Sequence, residues 1–99
     1  MLDTARIQDI ARDVALARVA KADLERIVAM PMTDSTGHDA LRITVVLAPG
    51  AARRVTGDVA LDVLSSLQQQ LQIAGEDRFA FIDYATEEEL HADAGADEA

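Results

Sequence analysis

Apolar residues at helical spacing open the chain. Ile7, Ile10, Val14, Ala17, Leu24 and Val28 recur at intervals of three, four and seven, with Lys21 interrupting. That spacing puts them on one face of a helix. No Gly or Pro breaks the stretch, and its Ala, Leu and Arg tolerate helical backbone well. The pattern predicts a first helix from about Asp3 to Leu24, extending at most to Val28, with Asp3 or Thr4 capping its first turn. The same positions also read as heptads, Ile7, Val14, Lys21 and Val28 alternating with Ile10, Ala17 and Leu24. A coiled-coil pair with Lys21 setting the register is one reading. Three short heptads and a small Ala17 fit better with an amphipathic helix lying on its own sheet.

The period then changes. Leu41-Arg42-Ile43-Thr44-Val45-Val46-Leu47 is rich in β-branched residues and alternates at its start, which predicts a strand. Leu41, Ile43, Val45 and Leu47 share one face; Arg42, Thr44 and Val46 share the other. Residues 27–32 either finish the helix and unwind at Pro31 or form a first strand paired with 40–47 across the turn-rich loop 33–39. The hairpin is the favoured reading, and Pro31, which has no N–H for a ladder, then belongs on a sheet edge.

Pro49 and Gly50 end the strand. A second helix is predicted from about Asp58 to Ala74, with Asp58 or Thr56 as cap and Gly75 as its left-handed terminator. Its buried stripe is Ala60, Leu64, Leu67, Leu71 and Ala74, widened by Leu61 and Val63. Arg78 to Tyr84 reads as a last strand, with Phe79 and Phe81 on one face and expected in the core. Strand, helix, strand implies a parallel pair joined by a right-handed crossover.

The predicted fold is therefore an α+β two-layer sandwich of order α-β-β-α-β. Two helices cover one face of a small three-stranded mixed sheet, over residues 1–86, with an acidic, mostly disordered tail at 87–99. Thr86 and Glu89 match a capping-box spacing, so one helical turn is expected there. Such a sheet keeps one bare face and two edges, which favours pairing with a second chain.

Charge sharpens this picture. The net charge is −9, yet residues 1–60 hold eight basic and eight acidic side chains, residues 61–84 carry −3 and residues 85–99 carry −6. A near-neutral body with acids gathered at one end argues against phosphate-driven binding to nucleic acid, which needs clustered Lys and Arg. It suits docking to a more basic protein. There is no cysteine, hence no disulfide or thiolate metal site. The charged N-terminus does not read as a signal peptide, and no stretch approaches the length of a membrane span, so a cytoplasmic location is expected.

Candidate chemistry is sparse. Asp34, Ser35, His38 and Asp39 lack the spacing of a calcium or zinc site and read as a turn. No catalytic residue, metal or cofactor is predicted. The connection Gly50–Asp58 follows a strand and precedes a helix, where anions bind in open α/β sheets. Arg53, Arg54, Gly57 and Asp58 are therefore candidate ligand or anion-binding residues, though the Walker and dinucleotide glycine patterns are missing. The interaction surface is expected at Arg42, Thr44 and Val46 of the bare sheet face and at Glu87, Glu88 and Glu89 of the tail. The first functional expectation is a small non-enzymatic interaction or regulatory protein that homodimerises and binds a more basic partner. The alternative is a phosphate or small-ligand module built on loop 50–58.

Overall fold

The structure is a computed structural model that describes residues 1–91 of the chain. Its elements are α1 (Thr4–Leu16), β1 (Leu24–Thr33), β2 (Asp39–Leu47), α2 (Gly57–Ile73) and β3 (Phe79–Thr86), followed by a short helix α3 at 87–91. The order α-β-β-α-β and the three-stranded mixed sheet agree with the sequence reading. Strands run β1-β2-β3, with β1 antiparallel and β3 parallel to the central β2.

The first helix is shorter than its apolar periodicity predicts. Asp3 caps it by accepting a hydrogen bond from the Arg6 N–H, but it stops at Leu16. Val19 then turns into the core, its N–H bonded to the Ala15 carbonyl at 2.7 Å. A 3-10 turn at Lys21–Asp23 delivers the chain to β1. Lys21 is exposed and Val28 lies in a strand, so the heptad seam does not exist and the coiled-coil reading falls. Residues 27–32 are strand, and Pro31 sits on an outer strand opposite Leu41, as the missing N–H requires.

Thr56 caps α2 by accepting from the Val59 N–H. Gly75, at φ +97°, closes it: Glu76 N–H reaches the Leu71 carbonyl and Gly75 N–H the Gln72 carbonyl, the paired bonds of a Schellman turn. Ile7, Ile10 and Val14 of α1 and Val63, Leu67 and Leu71 of α2 pack with Leu41, Ile43, Val45 and Leu47 of β2. Leu61, expected to widen the α2 stripe, points outward and is 66% exposed.

Register divides the sheet into two faces. One carries the rows Pro31–Leu41–Ala80, Ala29–Ile43–Ile82 and Ile27–Val45–Tyr84, beneath the two long helices. The other carries Met32–Ala40–Phe79, Met30–Arg42–Phe81, Val28–Thr44–Asp83 and Arg26–Val46–Ala85. Phe79 and Phe81 thus lie on the face away from α1 and α2. They are about half exposed, in an edge-to-face pair 4.8 Å between centroids, and not in the core as expected.

Candidate functional site: the bare sheet face

Arg42 sits at the centre of the face that α1 and α2 leave uncovered. Its Nε donates to the Asp83 carboxylate at 2.6 Å, with Met30 and Phe81 on either side of it in the register. Both members of this ion pair remain about half exposed. Met30 is 57% exposed and Phe81 42%, so two large apolar side chains flank a neutralised charge. Met30, Arg42, Thr44, Asp83, Glu89 and Leu90 line an open cleft here, bounded at one end by α3.

The tail acids have distinct roles. Thr86 and Glu89 form the predicted capping box: Glu89 accepts from the Thr86 N–H at 3.0 Å, and Thr86 Oγ1 accepts from the Glu89 N–H at 3.2 Å. Glu87 takes both Arg26 donors, at 2.8 and 3.0 Å, and this guanidinium holds its carboxyl below the usual carboxylate range. Arg26 belongs to β1 and Glu87 follows β3, so the pair bridges the two outer strands. Val46 lies in the same row of the central strand and is fully buried. Arg42 and Thr44 are the accessible part of the predicted sheet surface. Glu88 is exposed and makes no ion pair among the described residues. Residues 92–99 of the expected tail lie outside the described residues.

The loop 50–58 is organised around a structural ion pair. Arg54 donates from Nε and a terminal nitrogen to the two oxygens of Asp23, both at 2.8 Å. Asp23 is largely buried, and this contact draws its pKa down. Arg53 turns the other way and donates to the Gly50 carbonyl at 3.3 Å. Gly57 and Asp58 begin α2, where the Thr56 side chain accepts from the Val59 N–H. The two arginines therefore do not converge on one point. Arg18 with Asp62 and Arg78 with Glu76 complete a set in which five of the described arginines pair with carboxylates.

His38 bonds Thr36 Oγ1, and Asp34 accepts from the N–H groups of Thr36 and His38, which is the expected turn. No group of three metal-ligating side chains occurs among the described residues. No described helix is long and apolar enough to cross a membrane.

Sequence reasoning missed Met30 and the two phenylalanines as surface residues. Their signal is parity: Phe79 and Phe81 alternate with Ala80, Ile82 and Tyr84, and only one set can face the helices. Both sets are apolar, so the pattern alone does not choose. Comparison with models of known protein families, with curated proteins and with solved structures finds no match.

Proposed function

We propose that this chain is a non-enzymatic interaction protein that acts as a homodimer and presents its bare sheet face to a more basic protein. One observation carries the reading: Met30 and Phe81 stand exposed on either side of Arg42 on a sheet face that neither long helix covers. Exposed apolar side chains ringed by polar groups mark association surfaces. The acids of the C-terminal segment supply charge of the sign a basic partner needs. Commitment of Arg54 to Asp23 removes one of the two guanidinium groups a phosphate site on loop 50–58 would use.

Met30→Glu tests the reading, because it places a charge on the face while lying on β1, at the far side of the sheet from β3. Partners are captured on the immobilised chain, identified and purified, and their affinity for both forms is titrated. The substitution is expected to weaken binding by at least about tenfold, the effect of ~1.4 kcal/mol. Equal affinity for both forms, or no retained partner at low and moderate salt, defeats the proposal.

A further inference from the structure

The two edges of the sheet are finished differently, and the difference points to a particular neighbour. On β1, Gln8 reaches over from α1 and accepts the Ala29 N–H at 3.0 Å, while Pro31 has no N–H to offer. The middle of that edge is closed. On β3, the Gln68 side-chain amide from α2 engages both backbone groups of Ala80: its nitrogen donates to the carbonyl at 2.7 Å and its oxygen accepts the N–H at 3.3 Å. Glu89 accepts the Thr86 N–H.

Backbone groups of a parallel strand turn alternately towards the neighbouring strand and away from it. Since Ala80 and Thr86 are served from outside, Ile82 and Tyr84 also direct their N–H and C=O outward. The two side-chain plugs bracket this pair. Beside it runs a groove floored by Ala60, Leu61, Leu64 and Ile82. An unpaired strand edge next to an apolar groove is a template for strand addition.

We infer that the occupant of this edge is a second copy of the chain, paired antiparallel through β3 so that Ile82 of one copy lies opposite Tyr84 of the other. This takes up the homodimer of the functional reading and does not depend on its basic partner. Two features favour a second copy. First, the strip is without net charge: its lining is apolar except for Tyr84 and for Asp83, which Arg42 neutralises. A chain of net charge −9 meets itself here through Asp83 alone, each copy of which is offset by its own Arg42, whereas a basic strand would find no free carboxylate to answer it. Second, the register is self-matching. Ile82 and Tyr84 exchange bonds with their counterparts twice, by symmetry, using none of the backbone groups that Gln68 and Glu89 hold. Ala80 then lies opposite the partner's Thr86, where both plugs sit, so the pairing ends at these two residues. A shift that centres Ile82 on the axis needs Ala80, which Gln68 occupies. The chosen register sets Phe81 beside the small Ala85 and joins two three-stranded sheets into one of six strands. Asp83 falls on the two-fold axis, each copy held by its own Arg42.

Placing Asp83 on the axis makes the inference testable in a chain without cysteine. Facing residues at such a non-hydrogen-bonded position have Cα atoms roughly 4.5 Å apart, within the ~4.4–6.8 Å a disulfide spans. Asp83→Cys is expected to oxidise to a covalent dimer. Phe79→Cys lies roughly 26 Å from its counterpart at ~3.3 Å per residue and is expected not to. The full chain in sedimentation equilibrium should show about twice the 10.6 kDa of one chain. Leu61→Glu, on an exposed helix position, should return it to monomer with an unchanged circular dichroism spectrum. A wild-type monomer at high micromolar concentration defeats both this inference and the homodimer reading. A dimer that survives Leu61→Glu, or in which Asp83→Cys fails to cross-link, defeats this edge and leaves the homodimer standing. Protection of the Ile82 and Tyr84 amides only when another protein is added would make that protein the occupant instead.

Discussion

Glu76 follows the glycine that ends α2, and its side chain is only 1% exposed. A carboxylate in that position persists because its oxygens are answered on every side. Arg78 donates to them from its backbone N–H and its guanidinium, and Leu2 donates its N–H at 2.8 Å. Arg78 also reaches the Leu2 carbonyl, so the pair ties the start of the chain to the turn before β3. These contacts, the Arg78 hydrogen bonds foremost, outweigh burial and bring the Glu76 pKa from 4.5 down to about 2. A pKa lowered by folding means that the folded state binds protons less readily than the unfolded one. The pair's contribution is therefore complete above about pH 4.5 and disappears as pH falls towards 2. Removing one member of a buried pair costs about 3–5 kcal/mol, because the other is left buried and uncompensated. Glu76→Gln keeps an acceptor for Leu2 and should fall at the lower end of that range at pH 7. Urea unfolding of both forms should show the gap closing as pH is lowered from 5 to 2. A gap that stays constant would mean that the charge of Glu76 contributes nothing.

At the scale of elements, the sequence disclosed what local period controls and missed what distant contacts decide. The β2 strand, the α2 helix with its Gly75 terminator and the capping box at Thr86 were legible, because each is set by residues within one or two turns; Thr56 was one of two cap candidates and the hairpin the favoured of two readings. The end of α1 was not. Nothing local stops the helix at Leu16. Val19 is drawn inward and Asp23 is fixed by Arg54, a residue 31 positions away. The placement of Phe79 and Phe81 was hidden for a similar reason, since the parallel register with β2 sets their face. The tail acids were expected as a surface group, and their division of labour depends on Arg26, 61 residues from Glu87. That division predicts how α3 behaves. A five-residue helix cannot sustain itself by propensity and relies on its cap and on the Arg26 bridge. Loss of such a cap costs about 1 kcal/mol. Thr86→Ala should strip amide protection from residues 87–91 and raise the Glu87 pKa towards its ordinary value, while the global unfolding midpoint barely moves. Hydrogen exchange and carboxylate titration by NMR read both. Unchanged protection would show that α3 is held by its packing on the sheet and that the capping box is incidental.

At the scale of the whole molecule, the bare face sets exposed apolar side chains and charge side by side. The helix-covered face is core, the β3 edge carries no net charge, and Glu87, Glu88 and Glu89 follow in α3 at one end of the bare face. On the proposed reading, two contributions to partner binding separate. Met30 and Phe81 would govern how long a complex lasts, because burying them is short-ranged. The acids would govern how often partners meet, because their field extends over a Debye length of about 8–10 Å at physiological salt. Of the three glutamates, Glu87 is neutralised by Arg26 and Glu89 is engaged at the helix cap. Glu88, exposed and without an ion pair among the described residues, is the one whose charge reaches outward most fully. Glu88→Gln should therefore slow association with a basic partner at low salt and leave dissociation unchanged, whereas Met30→Glu should do the reverse and mainly speed dissociation. Raising the salt should erase the Glu88 effect and preserve that of Met30. Surface plasmon resonance at three ionic strengths distinguishes them. If Glu88→Gln alters dissociation at high salt, Glu88 makes a direct contact. If it alters nothing at low salt, the acidic end of the chain plays no part in steering, and recognition rests on the apolar face alone.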